Sequence, residues 1–387
     1  MIPVLALVLA AVDAPGSSVS PAGKNEIVVR GRSLASLQAD LDRCITDHCP
    51  LRQDVIASVR VGEALFRQGR YLQSRQLLQR AVDRDRDRAQ TDPLAMAALY
   101  EATATVATHE GDQSVARHAA GARMRLLGST VGPDSYDSLR ADLDYLDFSY
   151  SHAPNTSIDE SYRRLGERAE AAGQPGIAAL VALRRANIAA AYDERGKIDR
   201  LLAPLIAGST SLPPAFRLAA LSLKAKWARG GAKASAVAAF QNAVADTPQP
   251  APVLLSSPPN PFATDQSDIN YFNLVDRESR SSTFHLRWID IGFAIQPDGT
   301  VEDTNSLRGT MAEGDVREIE KVIQARRYAA FPATQGDRYR VERWTLTADY
   351  GQLNGSLIRA RGFNPHFVSL DITTDPTAAP TPGSNSG

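Results

Sequence analysis

Cys44, His48 and Cys49 are the residues whose types and spacing first suggest chemistry, and they include both cysteines of the chain. Three readings fit them. A disulfide needs Cα atoms within ~7 Å of one another, whereas five residues of unbroken helix rise about 7.5 Å. A bridge therefore requires the helix to end near Asp47, which Pro50 favours, and the small loop would contribute ~2 kcal/mol in the chain-entropy account. Two free thiols are the second reading. Zinc held with His48 is the third, although no second ligand pair accompanies it.

Little else resembles a reaction centre. The six histidines are scattered. His109 and His118 fall on separate predicted helices either side of Gly111, close enough to meet, but surface or capping roles are commoner for such residues. The acidic pairs Asp142/Asp144 and Glu302/Asp303 read as exposed, and nothing sets them across a cleft. Gly-x-Ser-x-Gly, His-Glu-x-x-His and a Walker loop are absent; Gly230-Gly231-Ala232-Lys233 lacks the first glycine and the spacing of a phosphate cradle. The chain is read as a non-enzyme that uses no cofactor, metal or small-molecule substrate. A net charge of −1 with 22% charged residues gives no electrostatic case for nucleic acid.

The elements that would position any site follow from pattern. At 387 residues the chain has room for two or three domains. Ile2 to Val12 is an apolar run of about 11 residues, too short for the ~30 Å core of a bilayer, and residues 1–14 read as a secretory signal peptide. A retained membrane anchor is the other option. Residues 15–32 form an extended or disordered lead containing the β-prone run Glu26-Ile27-Val28-Val29-Arg30-Gly31. Beyond Arg361 the low-complexity residues 362–387 read as a disordered tail.

From Ser33, a candidate N-cap, to Ala245 the sequence reads as helices joined by short connections. Gly69 marks a turn, with Gly62 seven residues before it, Tyr71 two after and Ala81 twelve after. Gly111 has Ala104 and Ala116 at related offsets, Gly173 has Gly166 and Ala178, and Gly231 is followed by Ala236, Phe240 and Ala243. Gly196 marks a degenerate unit. This small-residue spacing resembles the tetratricopeptide (TPR) repeat, which implies a solenoid of stacked helix pairs with a concave, protein-binding groove. An Ala-rich helical bundle is the alternative. The alternation of Asp and Arg from Asp83 to Arg88 is read as a solvated helix end. Residues 246–262 are a Pro-rich, extended spacer and a domain boundary.

The last domain, 263–361, changes period. Ile289, Ile291, Phe293 and Ile295 alternate as a half-buried strand, Pro297-Asp298-Gly299 makes a tight hairpin turn, and Val301 begins a return strand. Val316, Ile319, Val322 and Ile323 mark one face of a short helix. A final strand alternates Trp344, Leu346, Ala348 and Tyr350 against Arg343, Thr345 and Thr347. The motif Phe293-x-Ile295-x-Pro297-Asp298-Gly299-x-Val301, a helix ending in Ala325-Arg326-Arg327-Tyr328-Ala329-Ala330-Phe331-Pro332 and the strand Glu342-Arg343-Trp344-Thr345-Leu346 together resemble the C-terminal domain of TonB, the periplasmic energy transducer. The sequence departs from the family in two places: ahead of the first strand Asn260-Pro261-Phe262 stands where the family has a Tyr-Pro motif, and the long membrane-anchored, Pro-rich arm of a transducer is not matched.

The expected fold is mainly α with a small α+β C-terminal domain, a TPR-like α-solenoid followed by a β-β-α-β TonB-like module. The expected function is a periplasmic protein–protein interaction adaptor. What the TonB resemblance implies is strand addition, in which a partner segment pairs with an exposed sheet edge. The final strand is the expected edge, with Val341, Arg343, Thr345 and Thr347 along it, and the implied partner is a protein or peptide such as an outer-membrane receptor segment. The alternative is a TonB-type energy transducer associated with the membrane. Its Pro-rich arm would reach only about 50 Å at ~3.1 Å per residue.

Overall fold

The computed structural model describes residues 32–152, 157–208, 212–245, 252, 254–258, 284–328, 331, 338–352 and 359–373. Residues 1–31, Asn260-Pro261-Phe262, Ala329, Ala330, Pro332 and 374–387 lie outside them, so the expected signal peptide, the β-prone run and the end of the expected tail fall outside the described residues. The chain is mainly α with a small α+β C-terminal domain.

Eleven helices among the described residues come first: α1 (Leu34–Thr46), α2 (Leu51–Arg67), α3 (Tyr71–Asp85), α4 (Pro93–Glu110), α5 (Gln113–Thr130), α6 (Tyr136–His152), α7 (Ile158–Ala171), α8 (Pro175–Ala191), α9 (Arg195–Ala207), α10 (Pro214–Trp227) and α11 (Gly231–Ala245). Local signals set several of their ends. The Ser33 side chain caps α1 by accepting from the Ser36 amide, and Asp92 and Asp112 cap α4 and α5 in the same way. Each helix packs on the next, while α2 touches α4, α6 touches α8 and α8 touches α10. Even-numbered helices therefore stack within two groups, α2 on α4 and α6 on α8 on α10, with odd-numbered ones between them in the chain. Close approach depends on small residues: a Cβ on Gly62 would sit 2.9 Å from Leu78 Cδ2, and one on Gly166 3.2 Å from Val181 Cγ1.

Three of the four turn glycines stand where the pattern put them. Gly69, Gly111 and Gly173 have φ of 73°, 89° and 67°, left-handed values that favour glycine. Gly231 does not: it is the first residue of α11, and the left-handed turn residue is Gly230, at φ 58°. Gly196 likewise lies inside α9, and Asp193 takes the positive φ there. Asp is among the few residues besides glycine that tolerate that conformation, and here its Oδ1 accepts from Arg195 Nε at 3.3 Å.

The sheet runs β3-β2-β5-β6, antiparallel throughout, from β2 (Arg287–Ile295), β3 (Val301–Gly309), β5 (Arg338–Gln352) and β6 (Arg359–Asp371). Between β3 and β5 lie α12 (Glu313–Gln324) and the short β4 (Arg327–Tyr328). The hairpin turns at Gly299, φ 83°, where Asp298 accepts from the Thr300 amide. Val316, Ile319, Val322 and Ile323 of α12 pack with Ile289, Ile291, Phe293, Ile295 and Val301, joined by Tyr328, Phe331, Trp344 and Leu346. The amides of Tyr328 and Phe331 donate to the Gly299 and Pro297 carbonyls at 2.8 Å each, tying the aromatic segment to the hairpin turn.

Three expectations about this region are corrected. The strand around Trp344 is not an edge: β5 pairs with β2 on one side and β6 on the other. The domain does not end at Arg361, because β6 continues to Asp371; Asn364-Pro365 breaks the alternation by which a strand is recognised. The Pro-rich spacer is not free along its length, since β1 (Leu254–Ser256) pairs with β4 and contacts α10.

Candidate functional site

Arg343, Thr345 and Thr347, read as an exposed stripe, are each completely buried. Their face of the sheet is seated on the ends of α2 and α4. The Arg343 guanidinium reaches Asp290 on β2 through two bonds, Nε to Oδ1 at 2.6 Å and Nη2 to Oδ2 at 2.7 Å. It also donates to the Phe66 carbonyl through Nη1 and to the Arg67 carbonyl through Nη2 at 2.8 Å. Those carbonyls belong to the C-terminal turn of α2, where helix carbonyls lack intrahelical partners and the helix dipole favours a cation. The same guanidinium lies 4.0 Å from the Trp288 ring centroid and 5.3 Å from that of Phe66. Residues 277 positions apart are thereby joined, with each of the three guanidinium nitrogens of Arg343 hydrogen-bonded. Val341 lies farther along β5, its amide donating to Thr373 Oγ1 and its carbonyl accepting from the Ile372 amide.

Thr345 makes the second contact. Its Oγ1 is 3.1 Å from Tyr71 Oη and 3.3 Å from His109 Nδ1. Phe66, Tyr71 and His109 form one aromatic cluster, with Phe66 edge-on to the other two rings at 4.8 and 5.1 Å. Burial, with the Arg343 charge and then His366 adding to it, pushes the His109 imidazole down from 6.5 to about 3. Burial likewise raises the Tyr71 phenol, against the opposing pull of Arg343. His118 belongs to a different environment: it is exposed, and its Nδ1 is 2.7 Å from the Ser114 carbonyl on its own helix. The two histidines do not form a site.

Glu110 anchors the third contact. This fully buried carboxylate receives Arg75 Nε at 2.8 Å, Tyr350 Oη at 2.7 Å and the Arg361 guanidinium from β6. Tyr350 was expected beside Trp344 and Leu346, but irregular pairing between Thr347 and Tyr350 breaks that register and its hydroxyl reaches Glu110 on the helical side. Burial and the bond to Glu110 raise its pKa. The two glycine turns are the seats for this face. A Cβ on Gly69 would lie 1.9 Å from Trp288 Nε1, and one on Gly111 2.1 Å from the Ala348 carbonyl oxygen. Nothing approaches Gly173 within 4 Å.

The remaining nominated residues are structural. Cys44 and Cys49 are joined in a disulfide with Cα atoms 5.1 Å apart, and α1 ends at Thr46 as that bridge requires. Beside it, the Asp83–Arg88 run is only partly solvated: Arg84 binds the buried Asp54 and donates to Ser58 Oγ, while Arg88 binds Asp85 and donates to the Cys49 carbonyl at 3.2 Å. Asp142 pairs with Arg168, and Asp144 with Arg123 and Arg140. Among the described residues, no group of three or more His, Cys, Asp or Glu is placed to hold a metal ion, and no helix is long and apolar enough to cross a membrane.

The contacts that join the two domains were missed because polar alternation reports only that one face of a strand is polar. Arg343 opposite Asp290 across β5 and β2 was the available signal: a charge pair on adjacent inner strands has to find burial or solvent together. No family model and no curated protein matches the chain. Among solved structures, it is similar to BtubC (BKLC) from P. vanneervenii at 13% identity and a TM-score of 0.42, over 54% of this chain and 85% of that one.

Proposed function

We propose that this chain is a non-enzymatic protein–protein interaction adaptor of the periplasm, in which TPR-like helices hold a TonB-like module and the module takes an extended partner segment at a sheet edge. The observation that supports this reading is the state of β3. It pairs with β2 along one side, among the described residues no strand pairs with its other side, and seven of its nine residues are exposed. An unpaired strand edge offers a row of backbone donors and acceptors to an added strand. Pairing with β2 is irregular twice along β3, around Asp303, which has φ 49°, and again at Leu307. Asn305–Gly309 is the exposed part of the edge; Leu307, skipped in the pairing with β2 and half exposed, is the side chain that a partner would cover. The opposite face of the sheet is fixed to α2 and α4, so the edge is held rather than mobile relative to the repeats. The edge of β5 is not proposed, because β6 occupies it.

The test is site-specific photocrosslinking in cells at Leu307, with Leu94 on the helical layer as comparison, together with the N-terminal sequence of the mature chain from each cell fraction. A discrete protein adduct at Leu307 that an Asn305→Pro variant loses, in a periplasmic chain lacking its first residues, is the expected result. Adducts at Leu94 alone would move the contact to the helices. An intact Met1 in the inner membrane would favour the energy-transducer reading, and an intact Met1 in the cytoplasm would overturn both.

A further inference from the structure

The contact between sheet and helices brings two histidines together, His109 and His366, and the surroundings of His109 are built for one charge state. His109 sits at the C-terminal end of α4, buried to 3% exposure. The groups facing it come from each element packed there. From the α2 end and the start of α3 come the Phe66 ring at 5.1 Å and the Tyr71 ring, stacked at 6.3 Å. β5 supplies Thr345 Oγ1 at 3.3 Å and the Arg343 cation, which shares the same two rings at 5.3 and 6.0 Å. From β6 comes His366, which also opposes a positive charge on His109.

The carboxylates nearby are committed elsewhere. Asp290 on β2 is engaged by Arg343 and Arg308, and Glu110 by Arg75, Arg361 and Tyr350. An imidazolium at His109 would therefore be buried facing Arg343 and His366, with a hydroxyl as its hydrogen-bond partner. A neutral ring is accommodated; a charged one is not.

We propose that His109 is an acid-sensitive latch between the two domains, protonation releasing the β2–β5 face from the ends of α2 and α4. The latch is independent of what the β3 edge binds. Its direction follows from linkage. A base held neutral in the docked state and free to protonate in the open state contributes full docking stability above about pH 6.5. That contribution is lost as pH falls from there toward about 3. Between pH 7.5 and 5 the open-to-docked ratio rises about 30-fold by this one group.

Hydrogen exchange of the whole chain, corrected for the intrinsic pH dependence of amide exchange, reads the latch directly. In the wild type, β5 and the Phe66–Tyr71 segment should open about 30-fold more at pH 5 than at 7.5, while α7 and α8 keep their protection. His109→Gln retains a hydrogen-bonding group for Thr345 without titrating, and its β5 opening should change less than about 3-fold over the same range. Equal acid opening in His109→Gln would assign the effect to His366, Asp290 or Glu110 and overturn the proposal. So would loss of α7 and α8 protection in step with β5, or no change in the wild type. If the variant fails to fold, imidazole NMR of the wild type decides: protonation of His109 must coincide with β5 opening, and a His109 that titrates near 6.5 inside a protected β5 refutes the latch.

Discussion

Gly69, Gly111 and Gly173 offer a controlled perturbation, because they share a left-handed backbone and differ in what lies beside them. Their φ values are 73°, 89° and 67°, so alanine at any of the three carries a similar backbone cost of ~1–2 kcal/mol. At Gly173 that is all, since nothing lies within 4 Å. At Gly111 the new Cβ would be 2.1 Å from the Ala348 carbonyl oxygen, and ordinary contact begins at 3.4 Å, so the β5 backbone must retreat by about 1.3 Å. A movement of that size stretches the His109–Thr345 and Tyr350–Glu110 bonds beyond hydrogen-bonding distance. With a neutral bond contributing ~1 kcal/mol net and one to a carboxylate ~2 kcal/mol, the docking loss comes to ~3 kcal/mol. Gly69→Ala should fall between the two, because the atoms in its way belong to the Trp288 side chain, which Arg343 holds from the other side.

The assay is native-state hydrogen exchange, which resolves local opening in a chain of stacked units where a single unfolding free energy is poorly defined. Amides of β5 should exchange about 100-fold faster in Gly111→Ala, a factor that corresponds to ~3 kcal/mol. In Gly173→Ala they should be unchanged, with α7 and α8 destabilised by ~1–2 kcal/mol. Equal effects of Gly111→Ala and Gly173→Ala on β5, to within ~0.5 kcal/mol, would refute the docking geometry.

Other outcomes follow from the same contacts. Arg343→Met leaves Asp290 buried with Arg308 as its remaining cation and should cost ~3–5 kcal/mol, whereas Arg343→Met with Asp290→Leu should recover most of that loss; native-state hydrogen exchange of β2 and β5 in the two variants measures both. Reducing Cys44–Cys49 should destabilise the α1–α2 corner by ~2 kcal/mol, seen as faster exchange in α1 and unchanged exchange in β5. Phe293→Ala removes a fully buried ring from the sheet–α12 core and should cost ~3–5 kcal/mol, read as loss of α12 protection.

Much of this architecture was legible before any coordinates, for reasons of short range. Period and caps act within a turn or two of chain. Ser33 and the small residues around Gly69 and Gly173, like the Val316–Ile323 stripe and the Asp298-Gly299 turn, therefore announced themselves. Gly231 was misplaced by one residue because two adjacent glycines both suit a turn, and only the backbone shows that Gly230 takes the positive φ. β6 escaped notice because Asn364-Pro365 interrupts it and because an edge strand draws its hydrogen bonds from a neighbour, here β5, rather than from itself.

The sequence by itself determined the helices, the β-β-α-β order and the apolar side of the sheet, since each depends on which residues recur at the period of one element. Tertiary structure alone decided what the polar side is for. Arg343 and Thr345 are as compatible with water as with burial, and their fate turns on whether donors and acceptors elsewhere complete their hydrogen bonds. The Phe66 and Arg67 carbonyls, Tyr71 and His109 do so from more than two hundred residues away. Pairing over that separation leaves no local pattern, because satisfying a buried polar group depends on geometry in space and not on spacing along the chain.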